Sequence, residues 1–421
     1  MTDPNELATN VLAGNRRQGE SRTPPARYDY TCPSPHTYPF QWNWDSAFHA
    51  IALSKRDPAR ARAEVESLLV AAQPSGFLPH MVLWQEDVRG RAAADWPIAI
   101  DPAGWHTLTA NPPVLPLAVE RLAPTAPAGW LDRIVPQLVD VLAWWRTHRD
   151  PDGTGLVRTF QPDESGLDMS PKYDVLLGIE RHDPASIVPR WHTAVRDLIS
   201  AYAEQRAERG ADVDLTAPGR FSWQDVLVNS IYGSSARALA RLLRGRGADA
   251  AAGEWEQAAA QTTAALIAHS WDETAGAFFD SYLGRDGRWQ RAEVLTASSL
   301  FPLVLEDLPS EHAVRLVTHL TDESEFWLPY PVPSVAASEP SFDETFATGA
   351  IFRGSSWVNL NWYLHLGLRL HGYPDVAAEL ARRTRAMVAQ SGLRECYGPR
   401  DAAGHGARDF SWSALVLDLA G

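Results

Sequence analysis

The chain has 421 residues, with 38 Lys and Arg against 52 Asp and Glu and a formal net charge of -14. No long basic run interrupts that balance, which excludes a nucleic-acid partner because phosphate binding needs a positive patch. Two cysteines, Cys32 and Cys396, cannot build a disulfide framework. With no charged-then-apolar leader and no run of about 18 apolar residues, the expectation is a soluble cytoplasmic protein without a membrane partner.

Residues 1–37 read as a lead-in: a short helix around Leu7–Leu12, then a polar, extended, proline-containing stretch from Arg16 to Pro25. Next comes Tyr38-Pro-Phe-Gln-Trp42-Asn-Trp44-Asp45, which packs four aromatic rings, an amide and a carboxylate ahead of the helix start Ser46-Ala-Phe-His. Flat apolar faces beside hydrogen-bonding groups are what a sugar ring needs, so a small carbohydrate is the expected partner. At this point Asp45 has two readings, a helix cap or a sugar ligand. Helical periodicity then recurs over Pro58–Ala72, Pro113–Leu122, Leu131–Thr147, Ala185–Arg209, Asp225–Leu243, Ala248–Ser270, Thr296–Leu305, Glu311–Leu320, Trp357–His371, Pro374–Gln390 and Ser411–Leu419. Strand-like alternation is nearly absent, Gly276–Tyr282 being the nearest to a hairpin arm. No linker divides residues 38–421, so they read as one all-α catalytic domain. About twelve helices without a fixed repeat fit an (α/α)6 barrel, two concentric rings around a loop-built pocket, better than a solenoid.

The richest polar segment is Phe160-Gln-Pro-Asp163-Glu164-Ser-Gly-Leu-Asp168-Met-Ser-Pro-Lys-Tyr-Asp174. Pro162, Gly166 and Pro171 break any helix there, and the interleaved Phe160, Leu167, Met169 and Tyr173 predict a loop tucked inward with partly desolvated carboxyls. Desolvation raises a carboxyl pKa, as a general acid requires. Near the C-terminus Glu395 stands among apolar neighbours, either in a salt bridge with Arg394 or Arg408 or as a second working acid. Two carboxyls from distant loops are what glycoside hydrolysis uses. Gly76-Phe-Leu-Pro-His80, Asn111-Pro-Pro and Phe352-Arg353-Gly-Ser-Ser-Trp357 each couple a hydrogen-bonding side chain to an aromatic or proline turn. No metal-ligand spacing, phosphate loop or nucleophile elbow occurs, so neither metal nor cofactor is expected.

Together these motifs, in this order, resemble the bacterial mannosylglycerate and glucosylglycerate hydrolases of glycoside hydrolase family 63, whose clan includes processing α-glucosidase I and trehalases. The resemblance covers about residues 38–419 and implies an (α/α)6 barrel performing inverting hydrolysis of an α-glycoside without metal or cofactor. It further implies that Asp168 of Glu164-Ser-Gly-Leu-Asp168 is the general acid and Glu395 of Glu395-Cys-Tyr the general base. Tyr38, Trp42, Trp44 and Asp45 would line the sugar pocket with Trp357 as another wall, and His80, Asn111, Glu164 and Arg353 would join them in substrate binding. Three departures bear on the leaving group: Asp163 where the family often has Trp, Asn111 for Gln, and Ile351-Phe352 for Tyr-Trp. A sugar isomerase working through His80 and His49, or an inactive sugar-binding relative, are the other readings.

Overall fold

The computed structural model describes residues 3–87, 89–179, 184–209 and 221–419, and these are helix-rich. In chain order the α-helices are α1 (Pro4–Gly14), α2 (Asn43–Leu53), α3 (Pro58–Leu69), α4 (Arg89–Asp95), α5 (Leu115–Leu122), α6 (Trp130–Arg149), α7 (Asp174–Leu177), α8 (Ile187–Arg209), α9 (Val226–Arg244), α10 (Asp249–Ser270), α11 (Ser310–Leu320), α12 (Val358–Leu370) and α13 (Pro374–Ser391). Two segments predicted as α-helices, Ala297–Val304 and Ser411–Leu417, are wound as 3-10 helices. In the first, Pro302 lacks the N–H that an α-turn would use.

The helices divide into two packing classes. α2 contacts α5, α5 contacts α9, α9 the Ala297–Val304 segment, that segment α12, α12 the Ser411–Leu417 segment, and the last returns to α2. Members of this cycle are buried almost all round: every residue of α2 is covered, as is every residue of the two 3-10 segments. The partner helices bury a single stripe. In α11 it is Ala313, Leu316, Val317 and Leu320, the i, i+3, i+4, i+7 face of an amphipathic helix. α3 packs on α2, α10 on α9, α11 on Ala297–Val304, α13 on α12 and α1 on Ser411–Leu417.

Strands are short and serve as clasps between loops. The lead-in holds the longest pair, Arg16–Arg22 against Pro25–Thr31, where an extended tail is predicted. Arg-Arg-Gln-Gly-Glu-Ser-Arg shows no apolar alternation because this strand buries little, whereas Ala8, Leu12, Tyr30 and Cys32 on either side enter the main core. The predicted hairpin arm at Gly276–Tyr282 is two strands: Ala277–Phe278 pairs with Trp271–Asp272, and Asp280–Leu283 pairs with Trp223–Gln224 and Trp289–Ala292.

Candidate active site

Three loop systems converge on a cavity of about 290 Å³. The first is anchored by a two-residue clasp in which Gln41 pairs with Val82 and Trp42 with Met81. Beside it the Asn43 N–H donates to the His80 carbonyl at 2.9 Å, so the start of α2 and the Gly76–Trp84 segment are one unit. Tyr38, Trp42, Trp44, Asp45 and His80 accordingly share one wall. Trp96 completes it by stacking on Tyr38, with centroids 5.5 Å apart and planes 18° apart. Asp45 lies in the first turn of α2, but its Oδ1 has no hydrogen-bond partner and its side chain borders the cavity. Burial raises its pKa well above the usual carboxylate range.

The second system is the acidic loop, and Glu164 is what fixes it. That carboxylate takes both Nη groups of Arg149 at 2.8 and 2.7 Å and the backbone N–H groups of Ala110 at 2.8 Å and Phe160 at 2.9 Å. The short helix Pro162–Ser165 is thereby pinned, and Gly166 turns the chain at a φ of 72°. Only glycine fits there, because a Cβ would come within 2.2 Å of the Trp44 indole. This close pass carries the chain to Asp168, whose carbonyl is held by Trp191 Nε1 at 2.8 Å while its carboxyl faces the cavity. Loss of hydration raises the Asp168 pKa to about 7, with the neighbouring Asp163 adding to the rise and His80 opposing it.

The third system is the hairpin Arg394–Tyr397 with Gly404–Arg408. Its register shifts between Arg394 and Cys396, an irregularity centred on Glu395. Bulges re-aim side chains, and Glu395 is turned into the cavity. Its Oε1 accepts from Tyr38 Oη at 3.1 Å and its Oε2 from the Ala407 N–H at 2.8 Å. Gly406, at a φ of 62°, leaves room for this carboxylate, since a Cβ would approach Oε2 to 2.4 Å. Burial raises the Glu395 pKa, and the two hydrogen bonds restrain the rise. The ion-pair reading of Glu395 finds no support among the described residues: neither Arg394 nor Arg408 forms a salt bridge with it, and Arg394 donates from Nη2 to the Gly406 carbonyl instead.

Asp168, Glu395, Tyr38, Trp42, Trp44, Asp45 and His80 thus border one cavity. Four other residues expected to touch substrate lie behind its walls. Asn111 accepts the Trp44 N–H on its Oδ1 at 3.1 Å and so holds the first turn of α2. Glu164 is consumed by Arg149. Arg353 is consumed by Asp174, donating from Nη1 at 3.0 Å and also from Nη2. Trp357 is wholly buried and lies under Phe352, their rings stacked at 3.8 Å and 15°. Phe352 is the residue that meets the cavity, and its φ of 59° puts a bulky side chain in the left-handed region. His49 does not border the cavity: fully buried, it bonds Ser411 Oγ through Nε2 at 2.6 Å.

Sequence reasoning missed Trp96, Trp191 and His192, which line the cavity from α4's exit and from α8. None stands in a motif, and only proximity in the fold distinguishes them from core aromatics. Phe410 and Trp412, from the segment that follows the Glu395 hairpin, also face the cavity. Among the described residues no group of three or more His, Cys, Asp or Glu could hold a metal ion, and no helix is long and apolar enough to cross a membrane.

The family model of the mannosylglycerate hydrolase MGH1-like glycoside hydrolase domain matches residues 38–413. The mannosylglycerate hydrolase of Rubrobacter radiotolerans is 31% identical over 418 residues, 93% of each chain. The glucosylglycerate hydrolase of Mycolicibacterium hassiacum is 26% identical, over 93% of this chain and 94% of that one. Among solved structures, the family 63 mannosylglycerate hydrolase of Thermus thermophilus in complex with Tris and D-glycerate superposes with a TM-score of 0.81, at 26% identity over 99% of this chain and 100% of that one. With a family model spanning most of its length and a cavity built from that family's motifs, the chain belongs to the MGH1-like glycoside hydrolases of family 63.

Proposed function

We propose that this protein hydrolyses a small α-glucoside or α-mannoside with inversion at the anomeric carbon, using Asp168 as general acid and Glu395 as general base. The observation that carries the reading is the pair of carboxyls itself: they come from loops far apart in sequence, border one aromatic-walled cavity, and stand in unequal surroundings. Asp168 has a desolvated, electronegative setting that holds its proton up to about pH 7, so it can protonate the glycosidic oxygen. Glu395 receives two hydrogen bonds that favour its ionised form, so it can take a proton from the water that attacks the anomeric carbon. The inverting route needs space for that water, a gap of roughly 6.5–9.5 Å between the carboxyls.

Tyr38, Trp42 and Trp44 offer flat faces to the sugar ring, and the free acceptor of Asp45 suits its hydroxyl groups. The closed sequence of six helix contacts, five of its members with a partner helix packed on them, supports an (α/α)6 barrel in which residues 38–421 form the catalytic unit. The isomerase reading loses one of its two bases with His49 buried against Ser411. The names of the relatives point to mannosylglycerate and glucosylglycerate as the substrates to try first. The test is proton NMR during cleavage of an α-glucoside or α-mannoside: β-sugar is the expected first product, and α-sugar released first overturns inversion.

A further inference from the structure

The cavity is rich in carboxyl groups and poor in cations. Four carboxyl groups border it, Asp45, Asp163, Asp168 and Glu395, and no lysine or arginine does so among the described residues. The nearest motif arginine, Arg353, is committed to Asp174 through both Nη groups. Of the five lining indoles, two are committed: Trp191 Nε1 bonds the Asp168 carbonyl at 2.8 Å and Trp412 Nε1 the Glu395 carbonyl at 3.2 Å. Among the described lining residues the buried atoms left without partners are Asp45 Oδ1, Asp163 Oδ1 and His80 Nδ1. An ionised carboxylate on a ligand would bring like charge to this acidic site, where no arginine or lysine among the described residues offsets it.

Asp163 also has a side. It is separated from His80 Nδ1 by 3.6 Å and shares the acidic loop with Asp168. Asp163 is also the charged neighbour that adds most to the rise of the Asp168 pKa, and both acids come from one loop, so it stands near the acid. The group that protonates the glycosidic oxygen faces the departing aglycone, which puts Asp163 next to the leaving group.

We infer that the aglycone accepted here is a hydrogen-bond donor without a carboxylate, a polyol or an amino alcohol, rather than a hydroxy acid such as glycerate. This inference rests on the hydrolytic reading above and narrows it. The experiment uses the full chain with matched α-glucosides and α-mannosides of glycerol, 3-amino-1,2-propanediol and glycerate. Expected is a kcat/KM for the glycerol and aminopropanediol glycosides at least about tenfold above that for glycerate, the size that one uncompensated charge at close range produces. Asp163→Asn, which keeps the shape and removes the charge, is expected to close most of that gap. Preference for the glycerate glycoside in the unaltered chain, or a gap that a folded Asp163→Asn leaves unmoved, overturns the inference alone. If the variant does not fold, the three-substrate comparison on the unaltered chain decides. Failure to cleave any member of the panel overturns the hydrolytic reading and this inference with it.

Discussion

Within the fifteen residues from Phe160 to Asp174 four carboxylates meet two opposite fates. Glu164 and Asp174 are each clasped by an arginine, Arg149 and Arg353, and have no access to the cavity. Asp163 and Asp168 have no arginine and border the cavity. The first pair holds the loop in place and the second uses the position so created. A buried acid whose lone pairs are all occupied by N–H donors is a structural fastening, whereas one left short of donors beside open space is available for proton transfer. Glu395 sits between these extremes, with two donors and an open side.

The contrast can be broken most severely at the chemical pair. Asp168→Asn and Glu395→Gln should each cut kcat on an α-glucoside or α-mannoside by about 10³ or more while leaving the circular dichroism spectrum unchanged. Near-normal turnover in either variant removes that residue from the mechanism.

Next in size is the fastening. Arg149→Met strands the Glu164 carboxylate in a dry interior and is expected to lower stability by about 3–5 kcal/mol, measured by denaturant unfolding. A loss under about 1 kcal/mol would mean that Glu164 is not held chiefly by its arginine.

Gly406→Ala should reduce kcat by about 10² and lower stability by about 1–2 kcal/mol, because alanine is strained at a φ of 62° and the added methyl collides with the Glu395 carboxylate, where small displacements of a catalytic group are costly. An unaltered kcat would show that Glu395 tolerates movement.

Smaller still is the pH response. The acid must be protonated, so kcat/KM should fall as pH rises through about 7, the value to which Asp168 is pushed. Glu395 must be ionised, and Tyr38→Phe removes a hydrogen bond that favours its charge. The acidic limb should therefore move to higher pH while the alkaline limb stays.

The least effect, and the most direct separation of the two kinds of acid, is thermal. A carboxyl whose folded pKa is raised binds more protons in the native state than in the unfolded one. Its contribution therefore turns against folding as pH climbs from the unfolded value toward about 7. Asp168→Asn should accordingly raise Tm at pH 8 and do so less at pH 5. Glu164→Gln should lower Tm at both, since it weakens the hold of Arg149.

Helix positions were legible from periodicity because a helix that buries one stripe repeats its apolar residues every three or four positions, as α11 and α13 do. The hairpin Arg16–Arg22 was not, since a strand with little burial carries no such imprint. Both carboxyls of the proposed pair were legible through motif resemblance, and so was the aromatic wall from Tyr38 to Asp45. The roles expected for Asn111, Glu164, Arg353 and Trp357 as substrate contacts rested on the same motifs, and here the fold turns each side chain into the supporting layer. Phe352, Trp96 and Trp191 meet the cavity although nothing in their local sequence separates them from core aromatics.

By itself, the sequence determined the helix-rich architecture, the acidic loop with its helix-breaking Pro162 and Gly166, and the two segments whose acids border the cavity. Tertiary structure alone decided which acids are paired and which are free. The physical reason is that pairing depends on donors delivered from elsewhere: Arg149 from the end of α6, Arg353 from the chain before α12, Ala407 from the opposite arm of a hairpin. Local sequence carries no record of the distance to any of them.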